Sequence, residues 1–389
     1  MTPVGWSNPP VPEEWVGTTV QTTLPAAGNK RQAYLGLVQP PDMDTGIALL
    51  NFGEPSEPER DRVVDYLERI FYANADLEDA ESETAARERA RELARRRAPA
   101  LIEEYEEIGG SPLNEQARAQ AEMLEASLAD RGYDVTTYLG MQYTEPFIED
   151  AARAARDDGL DLLVGLPSYP LCGPSTNVLA LDELDDAVDD LEWGVETRAI
   201  TGWHRHPTYN RLRADNIAAF ADEHDLDLND DTALVFSAHG TPQHYLEAGS
   251  RYDRYVEEFC EVVAALLDVA EYHVGYQNHE NRDIPWTEPE VEELVEGLDA
   301  ERVVVEPISF LHEQSETLSE LDIELAEDAV DDDQAFYRVP IPHDDERIGE
   351  VFADLVEPFA RGFDPGYYNL RRCQCRERPG TYCLNAPRS

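Results

Sequence analysis

The chain has 389 residues, of which 31 are Lys or Arg and 82 are Asp or Glu, giving a formal net charge of −51. That charge disfavours nucleic-acid phosphates and anionic lipid as partners, while 42% hydrophobic residues can bury a full core and exclude disorder as its explanation. No apolar run approaches the ~20 residues of a membrane span.

In chain order, residues 1–44 are Pro-rich and weakly periodic, an N-terminal extension without the basic-then-apolar order of a signal peptide. A cytoplasmic location is therefore expected. From Gly46 onward, short apolar runs alternate with helical patterns. GIALLNFG (46–53), VTTYLGMQY (135–143) and DLLVGLPSYP (161–170) read as strands of a first unit. VETRAI (195–200), TALVFSAHG (232–240), EYHVGYQN (271–278) and ERVVVEPISF (301–310) read as strands of a second. Amphipathic stretches such as RDRVVDYLERIF and EQARAQAEMLEASLADRG lie between them, and 79–104 is a charged helical lid or surface helix. Strands separated by helices predict an α/β fold of two similar Rossmann-like domains, each a parallel sheet flanked by helices. The division falls at 45–198 and 199–362, with a ligand cleft between, and 363–389 forms a Cys-containing tail.

The carboxyl ends of these strands gather unusual loop residues. Asn51 with Phe52, Gln142 with Tyr143, and Ser168 with Tyr169 decorate the first unit. His239, then Gln277, Asn278 and His279, then His312, Glu313 and Glu316 decorate the second. Ligand chemistry collects where strands end in open α/β sheets, and aromatics mixed with a few polar groups suit a flat, apolar ligand with one reactive centre. His239 can accept a proton near neutral pH. On a helix, Glu316, Glu320 and Glu324 would share one face, able to relay protons or pass a hydrated divalent cation. His312-Glu313 opens an H-E-x-x pattern, but Glu316 stands where a zincin needs His. Nucleophile-elbow, phosphate-loop and dinucleotide-turn motifs are absent from the sequence.

Of five cysteines, Cys260 sits on the apolar face of a helical pattern, and Cys373, Cys375 and Cys383 crowd into the tail beyond Cys172. Soft thiolates so clustered favour zinc or an iron–sulfur cluster. The acidic residues are spread along the whole chain and its single lysine is Lys30. Such a surface repels itself unless salt screens it, as in a salt-accumulating, halophilic microbe.

Together these segments resemble the ferrochelatase family, whose members insert ferrous iron into a porphyrin. The likeness spans roughly residues 46–360 and is carried by GIALLNFGEP, YLGMQYTEPFIEDA, LVGLPSYPLCGPST, LVFSAHGTP, GYQNHENRDIPW and PISFLHEQSETLSELDIE. The resemblance implies His239 and Glu316 as the catalytic pair, with Glu320 and Asp322 continuing a metal path from them. It implies porphyrin contacts at Asn51, Phe52, Tyr143 and Tyr169, with Trp286 as a wall. It further implies a [2Fe–2S] cluster on Cys172, Cys373, Cys375 and Cys383, zinc being the alternative, and Fe²⁺ as substrate. Porphyrin would be protoporphyrin IX or coproporphyrin III, and membrane association weak or absent. Glu313, Gln314, Ser319 and the run Asn278-His279-Glu280 depart from the family pattern. Two rivals are a noncatalytic tetrapyrrole or metal carrier on the same scaffold, and a cobalt or sirohydrochlorin-type chelatase.

Overall fold

A computed structural model describes residues 43–74, 82–278, 284–331, 334–376 and 378–385. Residues 1–42 of the expected extension, 79–81 of the expected lid and His279 lie outside these. Among the described residues, ten strands form two sheets. They are β1 (Thr45–Asn51), β2 (Thr136–Met141), β3 (Leu162–Pro167), β4 (Glu196–Thr201), β5 (Thr232–His239), β6 (His273–Gln277), β7 (Arg302–Pro307), β8 (Ala335–Arg338), β9 (Arg371–Arg372) and β10 (Thr381–Cys383). The first sheet runs β2-β1-β3-β4-β10-β9 and the second β6-β5-β7-β8. Every pairing is parallel except β9 with β10.

The central strands explain the continuous apolar runs. β1 is buried at all seven positions, as expected where helices cover both faces of a parallel sheet. Ile47, Leu49 and Leu50 are fully excluded from solvent, each contributing roughly 1.5–3 kcal/mol of burial. Helix Glu83–Ile108 turns Ala90, Ala94 and Ala98 inward at four-residue spacing, then Leu101 and Tyr105. Small residues there let helix Arg60–Ala73 approach with Val63, Tyr66 and Leu67. Ser82 caps the long helix by accepting from the Ala85 amide at 3.2 Å, and Gly109, at φ +78°, ends it.

The last long helix, Arg347–Ala360, packs on helix Leu113–Asp130 of the other half. Gly349 permits this: a Cβ there would lie 2.6 Å from the Met123 carbonyl oxygen. One apolar core consequently joins Ile47 and Leu49 of the first sheet to Leu234 and Phe236 of the second.

Two assignments change. VETRAI, expected in the second unit, forms β4 and pairs with β3 in the first sheet. Its alternating pattern could not say which sheet it joins. The tail is part of the fold, because β10 pairs in parallel with β4 and extends the first sheet. Arg376, buried, donates from Nε to Asp182 at 2.7 Å, bonds Asp185, and reaches the Leu181 carbonyl at 3.0 Å, fixing the tail to helix Leu179–Asp190.

Candidate active site

The strand ends of both sheets open onto one cavity lined by residues of both. Asn51, Phe52, Tyr143, Tyr169, Trp286, His239, Glu316 and Glu320 all line it. β1 delivers Asn51 and Phe52. The Phe52 and Tyr143 rings meet edge-on with centroids 4.6 Å apart, and Tyr66 completes the cluster at 6.2 Å from Phe52. The Tyr169 hydroxyl is buried without a hydrogen-bond partner among the described residues.

His239 ends β5. Its backbone N–H donates to Ser309 Oγ at 3.0 Å, and Ser309 Oγ lies 3.0 Å from the Tyr252 hydroxyl. The ring Nδ1 is 2.7 Å from the Gly240 carbonyl oxygen. A carbonyl only accepts, so Nδ1 carries the proton and Nε2 keeps its lone pair. Burial pushes the His239 pKa below its ordinary value, against a smaller opposing effect of the Gly240 contact.

Glu316 and Glu320 are set by an irregular helix. One α-turn, Ser315–Leu318, gives way to a π-helical stretch, Glu320–Leu325, and then to Ala326–Asp331. Wider turns of this kind recur at functional sites. Gln277, closing β6, donates from Nε2 to the Glu316 carbonyl at 2.8 Å and to Glu320 Oε2 at 2.9 Å, while accepting from Ser237 Oγ at 2.9 Å. Burial raises the pKa of both carboxyls, and for Glu320 the neighbouring Glu316 charge raises it further. Glu324 is exposed. Asp322 does not join them: it is exposed, does not line the cavity, and is gripped by Arg338 at 2.7 Å. Two residues beyond Glu320, Asp322 falls on the opposite side of the turn, and the π-turns break the regular spacing that would have carried Glu324 inward.

Two buried groups of the site escaped notice or weight in the sequence. His312 lines the cavity with its Nδ1 3.4 Å from Asn51 Nδ2, and burial, then His343, lowers its pKa to about 3. Glu54 is 1% exposed, and burial followed by the Glu316 charge raises its pKa to about 7. No signal marked it, since one more glutamate among 82 acidic residues carries no information.

The ferrochelatase family model matches residues 44–359. The chain belongs to the ferrochelatase family. Ferrochelatase of Picosynechococcus sp. is 35% identical over 80% of this chain and 81% of its own length. That of Gloeobacter violaceus is 32% identical over 73% of this chain and 88% of its own. Among solved structures, the sirohydrochlorin chelatase SirB of Bacillus subtilis subspecies spizizenii aligns over 82% of this chain and 97% of its own, with TM-score 0.48 and 10% identity. As an enzyme of the ferrochelatase family, the protein acts on a porphyrin by metal insertion. No described helix is long and apolar enough to cross a membrane.

Away from the cavity, four cysteines meet. Cys172, in the loop after β3, lies near enough to Cys373 and Cys375 to shift their titration, as Cys383 does for Cys373, and the Cys375 N–H donates to Cys373 Sγ at 3.3 Å. Those thiols hold Cys373 well below the ordinary thiol range, and the Cys373 contact pushes Cys172 and Cys383 up. Tyr255 O–H and Thr201 Oγ each lie 3.1 Å from a sulfur, of Cys375 and Cys373 respectively. Among the described residues no group of three or more His, Cys, Asp or Glu is arranged as a ready metal site. Cys260 is a core residue, packed with Phe259 and Val263.

Proposed function

We propose that the protein inserts Fe²⁺ into protoporphyrin IX or coproporphyrin III, with His239 and Glu316 handling the pyrrole protons. The observation carrying this reading is that a half-buried histidine, its pKa lowered, and two half-buried carboxyls line the same aromatic cavity. Metal insertion expels two N–H protons. His239 Nε2, the ring nitrogen opposite the Gly240 contact, takes one from a pyrrole nitrogen. Glu316 receives the other, and the raised pKa values of Glu316 and Glu320 suit carboxyls that hold and pass protons. The same two carboxylates, when ionised, offer oxygen ligands to the incoming iron, whereas Asp322 is occupied by Arg338.

Asn51, Phe52, Tyr143, Tyr169 and Trp286 hold the macrocycle. Arg97, which lines the cavity and pairs with Glu104 at 2.7 Å, offers a cation to its carboxylates. Ring distortion that exposes the nitrogens is strain drawn from these wall contacts.

Four soft sulfur donors drawn from two distant segments fit an iron–sulfur centre or zinc in the chemistry of the set. Cys172, Cys373, Cys375 and Cys383 would hold a [2Fe–2S] cluster, which when bound ties the tail to the first sheet. The bulk charge of −51 supports a cytoplasmic protein of a high-salt cell.

Anaerobic insertion assays in concentrated KCl, offering Fe²⁺ with each porphyrin to wild type and His239→Ala, test the reading. The expected result is metalloporphyrin from wild type and porphyrin binding without turnover from the variant. Binding without insertion by wild type would instead favour a carrier, and turnover restricted to cobalt and sirohydrochlorin the other chelatase class.

A further inference from the structure

The segment that follows β7 and leads to Glu316 is stitched to the opposite half of the molecule almost residue by residue. The Leu311 carbonyl accepts from Gln120 Nε2 at 3.1 Å, and the Glu313 amide donates to Gln116 Oε1 at 2.8 Å, both partners lying on helix Leu113–Asp130. Asn51 reaches His312, as described. The last stitch is the strongest: Ser315 donates twice to Glu54, from Oγ to Oε1 at 2.6 Å and from its backbone N–H to Oε2 at 3.2 Å. Ser315 Oγ also lies 3.2 Å from Glu316 Oε2.

Glu54 is itself held rigidly on its own side. Its N–H donates to Asn114 Oδ1 at 3.0 Å and its carbonyl accepts from Asn114 Nδ2 at 2.8 Å. Gly53, at φ +80°, makes the turn that separates it from β1, and a Cβ there would come 2.3 Å from Thr144 Oγ1. A buried carboxylate whose charged neighbour is a second carboxylate is costly to keep. Its return is geometric: it fixes the residue immediately before Glu316 with two hydrogen bonds sent across the cleft.

We infer that Glu54 is a positioning residue for metal insertion, which clamps Ser315 from the opposite sheet and thereby fixes where the Glu316 carboxylate sits in the cavity. The inference rests on the role proposed for Glu316. A misplacement of about 1 Å at such a site costs up to roughly a hundredfold in rate, so the clamp acts on turnover more than on porphyrin binding.

The test is a mutant cycle of Glu54→Ala, Ser315→Ala and the double variant, with Glu54→Gln beside them. Each is assayed for kcat, for KM with porphyrin, and for porphyrin binding by fluorescence quenching, at a temperature where circular dichroism shows the fold intact. Glu54→Ala is expected to lose about tenfold or more in kcat with KM within about twofold, by the same misplacement argument. Glu54→Gln, which keeps one accepting oxygen, should lose less, and the double variant should be no worse than Glu54→Ala because both break one interaction. Wild-type kcat in Glu54→Ala, or losses that multiply in the double variant, would overturn the inference. If Glu54→Ala does not fold, the cycle is run with Glu54→Gln and the same non-additivity decides. A wild type that inserts no metal sinks the role of Glu316 instead, so the two failures are separable.

Discussion

Arg213 is fully buried beneath the site and offers the sharpest stability test. Its Nε donates to Glu306 at 2.6 Å, its Nη1 to the Tyr209 hydroxyl at 3.1 Å and the Phe310 carbonyl at 2.8 Å, and its Nη2 to the Pro307 carbonyl at 2.8 Å. Both members of the ion pair have zero side-chain exposure. Arg213→Met keeps most of the volume and removes every one of these donors. Stranding a buried carboxylate typically costs about 3–5 kcal/mol, and orphaned carbonyls add about 1–3 kcal/mol each where water cannot reach them. Burial already raises the Glu306 pKa, held down mainly by Arg213. Without the arginine it rises further, so the folded state favours the protonated acid, and stability present at low pH is lost as pH climbs. Urea unfolding in concentrated KCl should therefore show Arg213→Met losing at least about 3 kcal/mol at pH 8 and less at pH 5. Arg213→Met/Glu306→Leu should recover part of the loss but not the share due to Pro307 and Phe310. A single variant within about 1 kcal/mol of wild type at pH 8 would refute the reasoning, since an uncompensated buried charge cannot be that cheap.

His239→Ala should lower kcat by about 10²–10⁴-fold while leaving porphyrin fluorescence quenching intact, the range expected for a lost general base. Because burial lowers the His239 pKa, insertion should hold below pH 6.5 in a pH–rate profile and fall only as pH drops through that lowered value. Glu54, raised from 4.5 to about 7, contributes stability that is complete below pH 4.5 and lost as pH rises through about 7. Glu54→Gln should accordingly flatten the unfolding free energy over that window, gaining up to about 3 kcal/mol at pH 8. Under the proposed cluster assignment, anaerobically purified protein should show visible charge-transfer absorption that Cys373→Ser removes while exposing the tail to protease, and absent or unchanged bands would refute it. Dialysis from molar KCl into dilute buffer should unfold the chain, followed by far-ultraviolet circular dichroism, as the Debye length grows from about 3 Å toward 30 Å.

Much of this architecture was legible because its signals are local. Ile47 to Leu50 and Ala233 to Phe236 are uninterrupted apolar runs, and only strands buried on both faces are written that way. His239, Asn51 and Phe52 were visible because each stands at the end of such a run, where the fold must open. The rest depended on partners distant in sequence. Nothing in VETRAI distinguishes an inner strand of the first sheet from the start of the second; the choice is made by Leu163 and Val164 lying beside it. Helical spacing placed Glu316, Glu320 and Glu324 on one face, but did not show the π-turns that leave Glu324 exposed. Glu54 becomes significant only when Ser315, from another sheet, arrives against it.

The parallel pairing of β10 with β4 joins residues about 180 positions apart, Thr381 opposite Ala199. During vectorial synthesis, β1 to β4 leave the ribosome long before their last neighbour exists. At roughly 5–20 residues per second, β4 waits many seconds with an unpaired edge, the kind of surface on which chains join wrongly. The strand that closes this edge also bears Cys383 and follows closely on Cys373 and Cys375. Completion of the sheet and assembly of the thiol cluster are thus one event in the life of the nascent chain, and a truncated product carries an open edge and Cys172 without its three companions.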